Sequence, residues 1–273
     1  MFFKELEKIA KGNFQNNILT EAKEELFQEL TEYPKYVFGS ESIKIEESIL
    51  KKIEIKDILK HVFNTDSFGK IEVIKIPSNK KELIFKLKTS DKPFALTKIG
   101  DITKLLKKLN NYEINESYEN ESFFENIDRD KSYVNILMGL RAFYEGWDSN
   151  RPNVMTFINI GTGDAKKYVI QSIGRGVRIE PIKKQRKRLL PLKRENNIKA
   201  KDICKNLEPE EISIMETLFV FGTNKKNLQD ILDSIKYERK TTGEIIELKE
   251  NEMIKGKTLL IPIYKDKKET VKI

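Results

Sequence analysis

Two short apolar runs constrain this chain more than any other feature: YVNILM at 133–138 and VMTFINI at 154–160. Each is too short for a helix with its own buried face. Each is mostly apolar and suits a buried strand, the form that parallel strands take when helices pack on them. The polar stretch between them, FYEGWDSNRPNV at 143–154, places Gly146, Trp147 and Asp148 in a turn after the first strand. The sequence DAKKYVIQSIGRGVR at 164–178 then takes up a helical period, with Asp164 as its cap. Val169, Ile173 and Val177 fall at i, i+4 and i+8 and predict one buried stripe. Gln171, Arg175 and Arg178 fall at i, i+4 and i+7 and predict a second stripe on another side. Strand, turn, strand and amphipathic helix in that order predict an α/β fold.

The rest of the chain fits around this core. Residues 1–31 read as polar helix anchored by Leu26, Phe27 and Leu30, and 43–63 as two short helices. Between 71 and 100 the period changes: IEVIKIP, LIFKLK and FALTKIG are β-rich runs split by PSNKK and TSDKP, which predicts an antiparallel three-strand meander. Asp101 precedes Ile102, Leu105, Leu106 and Leu109, the spacing of a capped amphipathic helix. Pro209 suits a first helical turn, and Leu228, Ile231, Leu232 and Ile235 mark a further helix. Two strand-like runs, GEIIELK and TLLIPIY, end the chain. The expected organisation is a helical part over 1–70, the meander and its helix over 71–111, and an acidic connector over 112–131. A core over 132–225 and a C-terminal extension of helix and hairpin over 226–273 complete it.

Charge is unevenly placed. The chain of 273 residues carries a net charge of +8, yet 164–205 alone holds 14 Lys/Arg against 4 Asp/Glu, a net of +10. The densest part, 183–194, has seven basic residues in twelve. Residues 112–130 hold seven acidic residues and one Arg, and read as a solvated, flexible connector. A basic stripe is the footprint of a polyanion site, because each cation that neutralises a phosphate releases a counterion; a solvated lysine-rich face has the same composition. One cysteine, Cys204, excludes an intrachain disulfide and a cysteine-built zinc site. One histidine, His61, argues against histidine-led catalysis. No apolar run reaches the roughly 18 residues of a membrane span, so the expected setting is cytoplasmic.

The chemistry concentrates in two segments. Gly174 and Gly176 remove side chains from beside Arg175 and Arg178, which lets a phosphate approach the backbone while the guanidinium forks hold its oxygens. Asp148, at the end of a strand where α/β folds place ligand contacts, can accept from a sugar hydroxyl or hold an arginine. Trp147 reads as a packing residue. Together QSIGRGVR and EGWD resemble motifs VI and V of superfamily 2 helicases and translocases. The longer string LMGLRAFYEGWDSNRPNV, INIGTG, QSIGRGVRIEP resembles the restriction (Res) subunit of type III restriction-modification enzymes over 133–190. The flanks IKIEESILKKIEIKDILKHVF and METLFVFG are similar to that family too.

The resemblance implies a RecA-like lobe with a mostly parallel sheet flanked by helices, the second of a pair that clamps ATP and Mg²⁺ between them, with the meander as a small insert. Arg178 would be the arginine finger and Arg175 its partner at the γ-phosphate, with Gln171 and Gly174 in the same cleft. Gly146 and Asp148 would couple nucleotide to the nucleic-acid track. Lys183, Lys184, Arg186, Lys187 and Arg188 would meet double-stranded DNA. Implied partners are the first RecA-like lobe and a methyltransferase (Mod) subunit. The pattern departs in one respect: no G-x-x-x-x-G-K-[ST] and no DEAH-like motif occurs, and NEMIKGKT at 251–258 has Asn251 where the first Gly belongs. The chain is therefore expected to be a second lobe apart from its first, holding neither ATP nor metal alone. Asp233 with Glu247, Leu248 and Lys249 has the composition of a nuclease site, but Lys and Glu are so common here that no cleavage is assigned to it. The rival readings are a non-enzymatic nucleic-acid-binding module and a lobe of another superfamily 2 helicase.

Overall fold

The computed structural model describes residues 2–15, 17–32, 45–109, 111–117, 121–129, 132–139, 149–161, 165–177 and 180–240. Gly146, Trp147, Asp148, Asp164, Arg178 and both tail runs lie outside them. Four helices come first: α1 (Phe2–Lys11), α2 (Ile18–Glu32), α3 (Glu47–Lys51) and α4 (Ile55–His61). The expected meander follows as β1 (Ile71–Ile76), β2 (Asn79–Leu87) and β3 (Pro93–Lys98), then α5 (Thr103–Lys108), β4 (Glu113–Glu116) and β5 (Ile136–Gly139). Beyond lie β6 (Val154–Phe157), α6 (Ala165–Gly176), α7 (Leu189–Arg194), α8 (Ile198–Asn206), α9 (Pro209–Met215), β7 (Phe219–Gly222) and α10 (Lys225–Lys240).

The fold is α/β, but its main sheet is mixed rather than mostly parallel. Five strands lie in the order β4-β1-β2-β3-β5. Short links between β1, β2 and β3 allow only antiparallel pairing, whereas β4 and β5 return parallel to β1 and β3. The meander is therefore the centre of the sheet and not a small insert. Its strands are buried on both faces. Ile71, Val73, Leu83, Phe85 and Leu87 lie under Leu6, Ile9, Leu59, Leu105 and Leu106 of α1, α4 and α5. Ile76, Ile84 and Leu96 lie under Phe123, Phe124, Ile127 and Val134.

That second cover corrects the expected solvated connector. Its first residues form β4, and 121–129 folds onto the sheet through Glu82. Glu82 is 0% exposed and sits opposite Lys98 in the β2–β3 ladder. Its carboxylate accepts from Lys98 Nζ at 2.6 Å, Ser122 Oγ at 2.6 Å and the Phe123 N–H at 3.0 Å. Burial pushes this carboxyl up, but the hydrogen bonds from Lys98 and Ser122 and the lysine's charge outweigh it, and the carboxyl titrates below its usual range.

The two apolar runs of the predicted core enter different sheets. β5 edges the five-stranded sheet, while β6 pairs in parallel with β7. One face of the β6–β7 pair, through Phe157 and Val220, meets Val169 and Ile173 of α6 and Leu228, Ile231 and Leu232 of α10. A further small core, Ile182, Leu189, Leu192, Ala200 and Ile212, gathers α7, α8 and α9. Asn197 caps α8 by accepting the Ala200 N–H at 3.1 Å. No helix among the described residues is long and apolar enough to cross a membrane.

Candidate functional site

α6 positions the first group of residues. Val169 and Ile173 are 1% and 3% exposed, as their spacing requires. Val177 is 40% exposed, because the helix ends at Gly176 and the buried stripe ends with it. On the other stripe Gln171 is exposed and Arg175 is half-buried, one turn apart, with the arginine's Nε fully enclosed. Arg178 lies outside the described residues, so the pair Arg175 and Arg178 is seen only through its first member.

The two glycines of the motif have different physical roles. A Cβ on Gly176 would lie 2.7 Å from both Leu218 Cδ1 and Met155 Cε, so this glycine lets α6 seat against the β6–β7 sheet. A Cβ on Gly174 would meet nothing within 4 Å. Gly174 and Gln171 therefore border open space beside Arg175.

The second group is the basic loop. Lys183, Lys184, Arg186, Lys187 and Arg188 are all exposed, and Lys187 pairs with Glu195 at 2.6 Å. An isolated bridge between Ile182 and Gln185 folds the loop into a turn. Lys184 takes φ 66°, the left-handed region that side-chain-bearing residues rarely adopt. Just after the loop, the Leu189 N–H donates to the buried Glu216 carboxylate, which fixes the start of α7.

Several residues of the site region carry no signal in sequence. Ser149, 1% exposed, donates to Asp128 at 2.5 Å. The Arg151 guanidinium donates to the carbonyls of Ile127 at 2.5 Å and Val134 at 3.0 Å. Asn150 donates through Nδ2 to Glu180, whose other carboxylate oxygen accepts the Lys184 N–H. SNRPN reads as loop, and only its place directly after Gly-Trp-Asp could draw attention to it. The segment entering β6 is thus tied to 121–134 on one side and to the basic loop on the other.

No protein-family model, no curated protein and no solved structure matches this chain. Among the described residues no group of three or more His, Cys, Asp or Glu side chains is arranged to hold a metal ion. The groove between α2 and α3, lined by Thr20, Lys23, Phe27 and Leu50 among others, includes none of the candidate nucleotide- or DNA-binding residues.

Proposed function

We propose that this chain is the second, RecA-like motor lobe of an ATP-dependent type III restriction endonuclease, working in the cytoplasm. The observation that carries the reading is the α6 surface: Gln171 and Gly174 open to solvent beside Arg175, with Arg178 three residues on in the sequence. A guanidinium beside an unhindered backbone suits the γ-phosphate of a nucleotide held by a facing lobe. Bound ATP with Mg²⁺ supplies the transferable phosphoryl group. The role of Arg178 is to stabilise charge on that group, and Arg175 and Gln171 orient its oxygens. The role of Gly146 and Asp148 is to couple the nucleotide to the nucleic-acid track. The exposed cations 183–188 lie next along the chain and take the duplex phosphates. The first lobe and the methyltransferase subunit complete the enzyme.

In the intact enzyme, Arg178→Ala should lower ATP hydrolysis by ~10³–10⁵ while sparing nucleotide binding. Unchanged turnover would remove the finger assignment. A second reading, a non-enzymatic nucleic-acid module, draws on the exposed basic loop alone. It expects duplex binding that is indifferent to substitutions at Gln171 and Arg175. The likeness to motif VI taken alone also suits another superfamily 2 helicase; the string through GWDSNRPNV favours the restriction branch.

A further inference from the structure

Glu180 is an acidic residue placed at the mouth of a basic loop. Between 180 and 188 the chain carries five Lys/Arg and this one carboxylate. By Coulomb's law alone it lowers the loop's attraction for a polyanion. Yet it is half-buried, and both of its oxygens are engaged. Oε2 accepts from the Asn150 side-chain amide, and Oε1 accepts the backbone N–H of Lys184.

Both partners need it. Lys184 sits in the left-handed region, which its side chain disfavours, so an acceptor on its N–H helps to hold the turn. Asn150 has its Oδ1 buried without a hydrogen-bond partner among the described residues, so its amide is oriented through Nδ2. Asn150 is in turn held in place by its neighbour Arg151, whose guanidinium is fastened to the carbonyls of Ile127 and Val134. A carboxylate accepting N–H donors in a partly enclosed setting makes strong, directional bonds.

We propose that Glu180 is a positioning residue for polyanion binding: it fastens the basic loop to the segment entering β6 and so sets how Lys183–Arg188 present their charges. This rests on reading the loop as a phosphate-binding surface. The ligand class is the phosphate backbone of a nucleic-acid duplex.

The test compares Glu180→Gln and Glu180→Ala in the full chain, with a short fluorescent DNA duplex as probe and amide hydrogen exchange at Lys184 as the second readout. Both variants remove the same charge, so electrostatics alone predicts equally tightened binding. Positioning predicts that Ala weakens binding by about threefold or more while Gln, which keeps one acceptor oxygen, loses less. It also predicts that Ala speeds Lys184 exchange by roughly tenfold, the equivalent of one charge-assisted hydrogen bond. If Ala fails to fold, the Gln variant decides by its sign, weaker binding supporting the proposal and tighter binding overturning it. Unchanged Lys184 exchange, or equal tightening in both variants, overturns the proposal. Failure of the unsubstituted chain to bind duplex at all would instead overturn the phosphate-surface reading, and this inference with it, whatever the exchange result.

Discussion

Replacing Glu82 with alanine should destabilise the chain by about 3 kcal/mol. The carboxylate is 0% exposed, and its loss leaves Lys98 Nζ, Ser122 Oγ and the Phe123 N–H without their shared acceptor. Removing one partner of a buried pair costs ~3–5 kcal/mol, because the other charge stays desolvated. The Lys98 side chain is 19% exposed, so its ammonium can turn toward water, which puts the cost at the low end. The two stranded neutral donors fall within that figure, since losses in one network do not add. Glu82→Gln keeps an acceptor and should cost about half as much. Urea unfolding is the assay: at m values of ~1–3 kcal/mol/M the alanine variant's midpoint should fall by roughly 1–3 M. Amide exchange at Phe123 should accelerate first, since its donor is released directly. The acid limb gives an independent check. The folded carboxyl titrates below the usual 4.5, so its stabilisation is complete above that value and is lost as pH falls through the folded value. Glu82→Gln should flatten this acid loss. A destabilisation under ~1 kcal/mol, or an unchanged acid limb in Glu82→Gln, would refute the account of Glu82 as the catch that holds 121–129 on the sheet.

The two motif glycines should respond oppositely to alanine. Gly174→Ala meets open space and should stabilise α6 by up to ~1 kcal/mol, whereas Gly176→Ala drives a methyl against Leu218 and Met155 and should destabilise by ~1–2 kcal/mol in thermal or urea unfolding. Equal effects would mean that α6 does not seat on the sheet through Gly176. Replacing Lys183, Lys184, Arg186, Lys187 and Arg188 together with alanine should weaken duplex binding and reduce the slope of log K against log salt by ~0.9 for each phosphate that is no longer neutralised. An unchanged slope would place the polyanion surface elsewhere.

Elements set by local pattern are legible in the sequence. The meander at 71–100, the paired helices at 43–63 and the buried stripe of α6 follow from period, turn residues and apolar spacing. The carboxylate of Asp101 accepts the Thr103 N–H at 2.9 Å, as a residue in that place should. What the sequence hides is non-local. LIFKLK does not show that its strand lies at the centre of a five-stranded sheet, because that place depends on β4 and β5, which come later in the chain. The acidic count over 112–130 masks Phe123, Phe124 and Ile127, whose burial depends on a glutamate some forty residues earlier in the chain. Asn150 and Glu180 are ordinary polar residues until the fold brings them together. The motif points Gly176 toward a ligand, and its packing against Leu218 becomes visible only with the sheet in place.

The most direct measurement of the central claim is ATP turnover by this chain mixed with a separately purified first RecA-like lobe that carries a phosphate loop. The account predicts negligible hydrolysis by either part, restored hydrolysis in the mixture, and loss of that hydrolysis when the chain carries Arg175→Ala or Arg178→Ala. Metal-dependent turnover by this chain alone, or turnover in the mixture that survives both substitutions, would contradict it.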